Sequence, residues 1–596
     1  MDVCGRGCSS AAAARLSRAM SNTQPGFFAT LRMTIFAVIY SPVRKRLVCG
    51  EGSIILRTGT FVGWQEPSNG PRCRVGIIAK RAQEEWKDTM LDFKICSRAR
   101  LSRDARFDGK FFIGVLGSGV YCRPICPAPT GKEKNVRYFA TAAAAAEAGF
   151  RPCLRCRPEC SPGTPAWMGT SNTVSRALRL IEESGLEDGG VETLAERLGM
   201  GARHLRRLFL KHLGATPSAV ARTRRLNFVK KLIDETSLPM SHIALASGFG
   251  CVRRFNAAIR ATYHRTPTQI RRLARQPTKL PENEYLFRLG FRPPYHWQGM
   301  LAFLGPRAIP GVEVVDAGSY RRNIFLNQES GHFEVSLHKS GLALSVRIQF
   351  GDSRALFSII ERIRRMFDLS ADWQAIAARL KVDAELARRI EKSPGLRVPG
   401  CWNGFELAVR AILGQQVTVK GATTLAGRLV TSLGRPFATA RGLTHLFPKP
   451  EVLAEARLSG LGLTSARAET IRGLARAGCE GRIKFEGIVD ADAFLARLCE
   501  IPGIGKWTAK YVAMRALGEP DALPTGDLGL LRALTLKNTR ELEERSQAWR
   551  PWRAYAAMYL WNVREHANRG KNRTFVARKK IPAEKRGPEK RMPIAV

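Results

Sequence analysis

Two pairs of closely spaced cysteines constrain the fold of this chain more than any other feature of its sequence. Cys122 and Cys126 are separated by three residues and Cys153 and Cys156 by two, with 26 residues between the pairs. Tetrahedral zinc binds four thiolates at about 2.3 Å, and each short pair can supply two of them from one turn. With 14 cysteines in 596 residues, the chain is too poor in cysteine for a disulfide scaffold. The spacing predicts one Zn²⁺ bound by these four cysteines, but it does not distinguish a structural site from a reactive one.

The charge of the chain indicates a polyanionic partner. It carries 96 Lys and Arg against 51 Asp and Glu, which gives a formal net charge of +45 at pH 7. Neutralising phosphates releases counterions, so double-stranded DNA is the expected partner. No segment approaches the ~20 consecutive apolar residues of a membrane span, and we expect a cytoplasmic, nucleoid-associated protein with no membrane partner. An architectural DNA binder would also explain the charge, but not the clustered cysteines.

A basic helical pattern occurs twice in the middle of the chain. Leu194–Phe209 has the pattern of a helix, a glycine-containing turn and a second helix, and Ile243–Arg260 repeats it. Residues 201–276 contain 16 Lys and Arg but only two acidic residues. A helix-turn-helix places its second helix in the major groove, although any single basic helix can instead be a solvated face. The side chains expected to contact DNA are Arg203, Arg206, Arg207, Arg253, Arg254 and Asn256.

The segment Leu498–Ala513 has the pattern of a helix-hairpin-helix, which in isolation indicates only non-specific DNA binding. Gly503 and Gly505 would let backbone N–H groups approach a phosphate at a helix N-terminus. Asp527 follows in Leu523-Pro-Thr-Gly-Asp-Leu-Gly. Breaking an N-glycosidic bond builds positive charge on the sugar, which a carboxylate near the hairpin can stabilise. The alternative role for Asp527 is the N-cap of the apolar helix that follows it.

Strand-like alternation over residues 283–350, with helical periodicity before and after it, predicts a multidomain α+β protein. The expected parts are a small zinc domain with four cysteines, an all-α double helix-turn-helix and, as the resemblance of residues 282–566 to a known enzyme family implies, an antiparallel α+β domain and an all-α helix-hairpin-helix glycosylase core. The segments before and after them are expected to be an extension, either unstructured or upstream of the true start, and a basic disordered tail. The predicted boundaries are 1–89 for the extension, 90–165 for the zinc domain, 170–276 for the helix-turn-helix units, 282–395 for the α+β domain, 396–566 for the glycosylase core and 567–596 for the tail.

The sequences around the cysteines, Gly119-Val-Tyr-Cys-Arg-Pro-Ile-Cys126 and Gly149-Phe-Arg-Pro-Cys-Leu-Arg-Cys156, resemble the N-terminal domain of the Ada alkylation-response proteins. The resemblance implies that all four cysteines bind zinc and that Cys122 accepts the methyl group of a methyl phosphotriester in DNA. A zinc-bound sulfur is deprotonated and therefore nucleophilic at neutral pH. Methylation would remove one negative charge from the centre, so DNA phosphates would be repelled less. A zinc site with a purely structural role is the alternative.

The paired helix-turn-helix units, which end in Tyr263-His-Arg-Thr-Pro267, resemble the DNA-binding module of AraC-type transcription regulators. Beside an Ada-like zinc domain, this module implies promoter binding that depends on methylation. Promoter DNA and RNA polymerase are then further expected partners.

Residues 282–566 resemble the AlkA-type alkylbase DNA glycosylases. The resemblance is carried by Arg292-Pro-Pro-Tyr-His-Trp297, by the segment 404–416 and by Pro502-Gly-Ile-Gly-Lys-Trp507. It implies that Asp527 is the catalytic aspartate and that three aromatic residues form the walls of the base pocket, with ordinary core packing as the alternative for each tryptophan. These aromatic residues are Trp507, Tyr511 and Trp561.

The same resemblance implies a set of DNA contacts and a mode of hydrolysis. Gln416 stands where the best-known member of this family has a leucine that fills the gap left by the extruded base. Glycosylases that also cut the strand carry a lysine at the position of Trp507. The neighbouring Lys506 would point away from that position, because successive residues are rotated by about 100° around a helix. A monofunctional enzyme is therefore expected. A terminal cluster of four cysteines does not follow, and we expect no iron–sulfur cluster. The implied DNA contacts are Gln415, Gln416, Gly503, Gly505 and Lys506.

Together these features predict a protein of the DNA alkylation response and repair. The expected activity is hydrolysis of the N-glycosidic bond of alkylated purines such as 3-methyladenine in alkylated DNA. A zinc-thiolate methyl acceptor and a transcription-regulating module accompany it. The alternative is a DNA-binding transcription regulator whose glycosylase-like domain is inactive.

Overall fold

The computed structural model describes residues 92–162, 172–184, 190–274, 280–439, 442–488 and 490–562. The extension predicted over residues 1–89 and the basic tail predicted over 567–596 lie outside the described residues. Within the described ranges, no helix combines the length and the apolar character that crossing a membrane requires.

The first described region is a small sheet that joins the two cysteine pairs. Its strand order is β3-β1-β2-β4, with β1 antiparallel to β2 and β3 and with β2 parallel to β4. Strand β2 ends at Cys122 and β4 leads directly into Cys153, so the pairing of these strands brings the distant cysteines together. The elements are α1 (Phe93–Leu101), β1 (Phe112–Val115), β2 (Val120–Cys122), β3 (Val136–Phe139), α2 (Ala142–Glu147) and β4 (Arg151–Pro152).

The second region is helical. Thr216 and Thr266 cap the helices that begin at Pro217 and Pro267, where proline's fixed φ suits the first turn. The second helix of each helix-turn-helix unit ends at a residue in the left-handed conformation, Gly214 or His264. The helices are α3 (Asn172–Ser184), α4 (Gly190–Arg197), α5 (Ala202–Leu213), α6 (Pro217–Glu235), α7 (Met240–Ala246), α8 (Val252–Tyr263) and α9 (Pro267–Leu273).

The third region is an antiparallel sheet of order β5-β9-β8-β7-β6 with helices packed against it. Side chains alternate between buried and more exposed along β5 and β8, as expected for a sheet with one face in the core. The elements are β5 (Glu284–Gly290), α10 (Trp297–Leu304), β6 (Glu313–Val315), β7 (Ser319–Leu326), β8 (Glu329–Leu337), β9 (Ala343–Gln349), α11 (Leu356–Met366), α12 (Trp373–Leu380) and α13 (Ala384–Lys392).

The fourth region is a helical bundle around the buried helix α14, interrupted by the antiparallel hairpin β10–β11. Its elements are α14 (Gly404–Leu413), α15 (Val419–Leu433), β10 (Arg435–Thr439), β11 (Leu443–Leu446), α16 (Pro450–Glu455), α17 (Ser465–Cys479), α18 (Ala491–Cys499), α19 (Lys506–Arg515), α20 (Leu528–Ala533), α21 (Thr539–Ser546) and α22 (553–562). The order of elements confirms the predicted multidomain α+β class. The exact domain boundaries stay predictions.

The two helix-turn-helix units belong to two different apolar cores. The first unit packs around Leu205 and Phe209 in a core of its own, which also includes Ala143 and Ala144 of α2. The second unit, around Phe255, shares one continuous core with the sheet β5–β9 and the helical bundle. The zinc domain therefore shares a core with the first unit, and the glycosylase-like half shares a core with the second.

A buried network of charges joins the antiparallel sheet to the helical bundle. Arg322 on β7 lies 2.7 Å from Glu406 of α14, and Arg410 of α14 lies 2.9 Å from Glu313 at the start of β6. Burial alone would raise the pKa of Glu313, but Arg410 and Arg322 lower it to about 2. The folded structure therefore strongly favours the ionised form of this glutamate.

The substitution Glu313→Gln should reduce stability mainly at neutral pH. Breaking a buried ion network costs about 3 kcal/mol of unfolding free energy. The pKa of Glu313 lies below the ordinary value of 4.5, so its stabilisation is complete above pH 4.5 and is lost as the pH falls toward 2. In thermal unfolding, the midpoint difference between wild type and variant should shrink from pH 7 to pH 3. An equal difference at both pH values would contradict this assignment.

Candidate active site and metal centre

The carboxylate of Asp527 lies between two tryptophans. Its Oδ2 accepts a hydrogen bond from Nε1 of Trp507 at 3.3 Å, and its Oδ1 accepts one from Nε1 of Trp561 at 3.1 Å. Oδ1 also accepts the backbone N–H groups of Gly529 and Leu530 at 2.7 and 3.0 Å. Asp527 is therefore the N-cap of α20, and the same geometry fixes its carboxylate beside two indole rings.

The three predicted pocket residues form one aromatic group. The rings of Trp507 and Tyr511 on α19 stack with centroids 5.4 Å apart and planes 7° from parallel. Trp561 on α22 approaches Tyr511 with centroids 6.4 Å apart at 57°. All three side chains are half-buried and retain accessible surface. Residues from two helices thus present aromatic faces beside the Asp527 carboxylate.

Tyr511 lies in a cationic environment. Arg515, one turn later on α19, donates to its hydroxyl from Nη1 at 2.8 Å. Arg515 also donates to the carbonyl oxygens of Pro399 and Gly400 at 2.8 and 2.9 Å, which fixes the guanidinium. Burial alone would raise the pKa of Tyr511, but Arg515 and Arg307 lower it below its usual value.

The predicted hairpin begins α19 with an open N-terminus. Gly503 has φ +89°, and a Cβ built on it would lie 2.0 Å from Oγ1 of Thr470, so this turn requires glycine. Gly505 is the N-cap of α19, and among the described residues no side chain caps that end. Gly503, Gly505 and Lys506 are exposed, so backbone N–H groups at this terminus are accessible to an anion.

The two neighbouring glutamines lie in different environments. Nε2 of Gln415 donates to the carbonyl oxygen of Gly503 at 2.9 Å and to Oγ1 of Thr508 at 3.1 Å. Nη2 of Arg467 donates to the Gln415 carbonyl at 2.6 Å. Gln415 therefore ties the loop before α15 to the hairpin. Gln416 is exposed, with a left-handed φ of +55°, and its contact with DNA stays a prediction.

The sulfur atoms of Cys122, Cys126, Cys153 and Cys156 all lie within 4.8 Å of one another. Four thiolates around a tetrahedral zinc ion are separated by about 4 Å, so this donor set fits Zn²⁺. Cys122, Cys153 and Cys156 are buried, while Cys126 is half-buried. Cys160 lies outside the group.

A buried arginine supports this centre, and sequence reasoning missed it. Arg123 follows the first ligand, and its backbone N–H donates to Sγ of Cys156 at 3.4 Å. Its guanidinium pairs with the carboxylate of Asp108 and donates to the carbonyl oxygen of Cys156 at 3.1 Å. The position of Arg123 beside Cys122 was the available signal, but its pairing with Asp108 depends on the tertiary fold.

The basic residues predicted to contact DNA lie largely on the surface. Arg206 forms an ion pair of 2.6 Å with Glu192, and Nη2 of Arg207 lies 2.9 Å from Nδ1 of His204. The exposed members are Arg203, Arg206, Arg207, Arg253 and Arg254, and Asn256 is half-buried.

Family models match three parts of the chain. They are the metal binding domain of Ada over residues 95–159, a helix-turn-helix domain over 194–273 and the AlkA N-terminal domain over 286–403. The probable bifunctional transcriptional activator/DNA repair enzyme AlkA of Mycobacterium tuberculosis is 41% identical over 483 residues, which are 80% of this chain and 97% of that protein.

The chain belongs to the AlkA family of bifunctional transcriptional activator/DNA repair enzymes. DNA-3-methyladenine glycosylase 2 of Escherichia coli is 31% identical to this chain over 279 residues. The match covers 46% of the chain and 96% of that protein. The bifunctional transcriptional activator/DNA repair enzyme Ada of Escherichia coli is 39% identical over 129 residues, 21% of the chain and 35% of that protein. The resemblances to Ada, to helix-turn-helix regulators and to AlkA are therefore confirmed.

Zinc content should depend on the four clustered cysteines alone. Elemental analysis of the purified full chain should find about one zinc ion per molecule, the capacity of one tetrahedral thiolate site. Cys156→Ser should lose most of this zinc because the remaining thiolates no longer complete the site. Cys160→Ser is the matched control, since this neighbouring buried cysteine lies outside the cluster. Equal zinc loss in both variants would contradict the assignment.

Proposed function

We propose that the chain is a DNA repair enzyme that hydrolyses the N-glycosidic bond of alkylated purines such as 3-methyladenine, as a monofunctional glycosylase. The observation that carries the proposal is the carboxylate of Asp527 held between the indole N–H groups of Trp507 and Trp561. Similarity to the Escherichia coli enzyme named DNA-3-methyladenine glycosylase 2 supports the choice of substrate.

The reaction needs the damaged nucleotide outside the duplex. Extrusion costs a few kcal/mol, and damaged pairs reduce this cost. An alkylated purine is an electron-poor cation that stacks favourably on the faces of Trp507, Tyr511 and Trp561. As the bond to the base breaks, positive charge develops on the sugar, and the carboxylate of Asp527 stabilises that charge and orients the attacking water. The purine departs with the bonding electron pair.

The surrounding elements supply binding rather than chemistry. The open N-terminus of α19 at Gly505 offers backbone N–H groups to a phosphate beside the lesion. Gln416, exposed on the adjacent loop, is proposed to fill the gap that the extruded base leaves. By resemblance, Trp507 stands where glycosylases that cut the strand carry a lysine, and its indole N–H donates a hydrogen bond to Asp527. Because this position offers no amine, hydrolysis by water is favoured.

The zinc domain is proposed to accept a methyl group from methyl phosphotriesters. Bound zinc would keep the four thiolates deprotonated at neutral pH. The sulfur of Cys122 attacks the methyl carbon, the new S–C bond replaces the C–O bond of the triester, and a phosphodiester anion leaves. Arg123, anchored by Asp108, holds the loop that carries this sulfur.

The helix-turn-helix units are proposed to bind promoter DNA in a methylation-dependent manner and to contact RNA polymerase. Direct contacts between the zinc domain and the first unit support this coupling. Oγ1 of Thr141 donates to the carbonyl oxygen of Leu213 at the end of α5 at 2.9 Å. Glu147 accepts the backbone N–H and the hydroxyl of Thr216 at 3.2 and 3.0 Å.

Asp527→Asn should abolish release of 3-methyladenine from methylated duplex DNA. Asparagine can still cap α20, so the fold should persist while the negative charge is lost. We expect the single-turnover rate to fall by about 10²- to 10³-fold, the scale typical of losing one group that stabilises charge in the transition state. Affinity for an undamaged duplex should change little and serves as the internal control.

The same assay separates the proposed enzyme from its alternative. If wild type and Asp527→Asn release alkylated bases equally slowly, at the background rate, the chain is a regulator with an inactive glycosylase-like domain. If both release bases at the same enzymatic rate, Asp527 is not the catalytic residue.

Methyl transfer should modify one cysteine. After incubation with DNA that carries methyl phosphotriesters, peptide mapping by mass spectrometry should show the added mass of one methylene on Cys122. Cys126, the more exposed ligand of the same pair, is the natural comparison within each molecule. Methylation of Cys126, or of none of the four ligands, would refute the assignment of Cys122 as acceptor.

A further inference from the structure

The zinc domain makes a buried ion pair with the glycosylase-like half. Nζ of Lys110, next to strand β1, lies 2.8 Å from Oδ2 of Asp372 and 3.2 Å from Oε1 of Gln374. The side chains of Lys110 and Asp372 are only 7% and 11% exposed. A charge pair shielded from water in this way is little screened by salt, and removing one partner leaves the other charge buried without its counter-ion.

Arg292 makes a second contact between the zinc domain and the glycosylase-like half. It is 1% exposed, and its Nε donates to the carbonyl oxygen of Asp108 at 2.9 Å. Its Nη1 donates to the carbonyl oxygen of Ser370 at 2.6 Å. At Gly109, which has φ +74°, an added Cβ would lie 2.2 Å from the carbonyl oxygen of Pro162. The loop 108–110 is therefore tightly enclosed between the two parts.

This loop is also joined to the zinc ligands. The carboxylate of Asp108 pairs with Arg123, whose guanidinium donates to the carbonyl oxygen of Cys156. Lys110 therefore extends from a segment whose position depends on the cysteine cluster.

On the other side, Asp372 leads to the aromatic pocket. Its Oδ1 accepts the N–H of Ala375 and so caps α12, whose first residue is Trp373. Nε1 of Trp373 lies 2.9 Å from the hydroxyl oxygen of Tyr559 on α22. Tyr559 precedes Trp561 by two residues on that helix, and Trp561 donates to Asp527. These contacts link the zinc domain to α22, the helix that also carries Trp561.

A second contact holds the same helix to the same segment. The hydroxyl of Tyr555 on α22 donates to Oδ2 of Asp368 at 2.8 Å. The segment 368–373 thus contacts α22 at two positions one turn apart, Tyr555 and Tyr559. Displacement of this segment would shift the helix that carries Trp561.

We propose that Lys110 of the zinc domain is a positioning residue for base excision, because its ion pair with Asp372 fixes α12 and, through Trp373, the helix that carries Trp561. This inference rests on the proposed glycosylase function and adds to it. The zinc domain then contributes to the repair reaction in the same chain, and damage to the cysteine cluster is transmitted to the base pocket through loop 108–110.

The test uses the zinc-loaded full chain with Lys110→Met, which keeps much of the aliphatic volume and removes the charge. The single-turnover rate of 3-methyladenine release should fall about tenfold, since a small misplacement of a group at the reacting site has effects of this size or larger. Affinity for duplex DNA and zinc content should not change. Lys110→Arg should restore most of the rate, because it renews the charge pair.

Two further variants define the pathway. Asp372→Asn can still cap α12 and should reduce the rate as Lys110→Met does, with no additional loss in the double variant because both remove the same interaction. Lys381→Met is the matched control: Lys381 pairs with Glu391 at 3.5 Å, but both side chains are exposed. Its rate should equal that of wild type.

Hydrogen exchange separates failure of this inference from failure of the proposed function. Lys110→Met should increase amide exchange in residues 553–562 relative to wild type and to Lys381→Met, whether or not the chain releases bases. Unchanged exchange there, or a wild-type rate of base release, would overturn the inference. Independent, additive losses from Lys110→Met and Asp372→Asn would also overturn it. Absence of release in wild type would instead refute the glycosylase function.

Discussion

The fixed carboxylate of Asp527 is the constraint on which the proposed chemistry depends. A carboxylate that stabilises a transient positive charge must be held in place before the reaction, because reorientation during the reaction would cost part of the stabilisation. Two indole N–H groups and two backbone N–H groups hold it here. The capping role and the proposed catalytic role of this residue are therefore compatible, since one geometry serves both.

Three helices meet at this carboxylate: α19 with Trp507, α22 with Trp561, and α20, which Asp527 caps. The hairpin begins α19, which carries Trp507 and Tyr511, while α22 carries Trp561. The network of Glu313, Arg322, Glu406 and Arg410 binds the antiparallel sheet to α14 in the centre of the bundle. The second helix-turn-helix unit shares the same core. The candidate active site is thus supported by packing that extends well beyond the helical bundle.

Much of the site could be predicted from short sequence patterns. The four cysteines, Asp527 and the aromatic residues lie in local motifs whose chemistry is readable from residue type and spacing, and the structure brings each set together. The interactions that were missed join residues far apart in the chain. Lys110 and Gln374, for example, are 264 positions apart, and no local sequence pattern predicts such a contact. Gln415 illustrates the same limit: the family resemblance implied a DNA contact, but it did not indicate that the side-chain amide donates to the carbonyl oxygen of Gly503 in the hairpin.

The most direct test of the central claim is the binding of a duplex that carries a cationic pyrrolidine in place of the damaged nucleoside. The pyrrolidine mimics the positively charged sugar of the transition state, whereas a tetrahydrofuran analogue of the same shape is neutral. Transition-state analogues bind more tightly than ground-state mimics. Wild type should bind the cationic duplex at least about 10²-fold more tightly than the neutral one, and Asp527→Asn should lose this preference. Equal preference in both proteins would contradict the account.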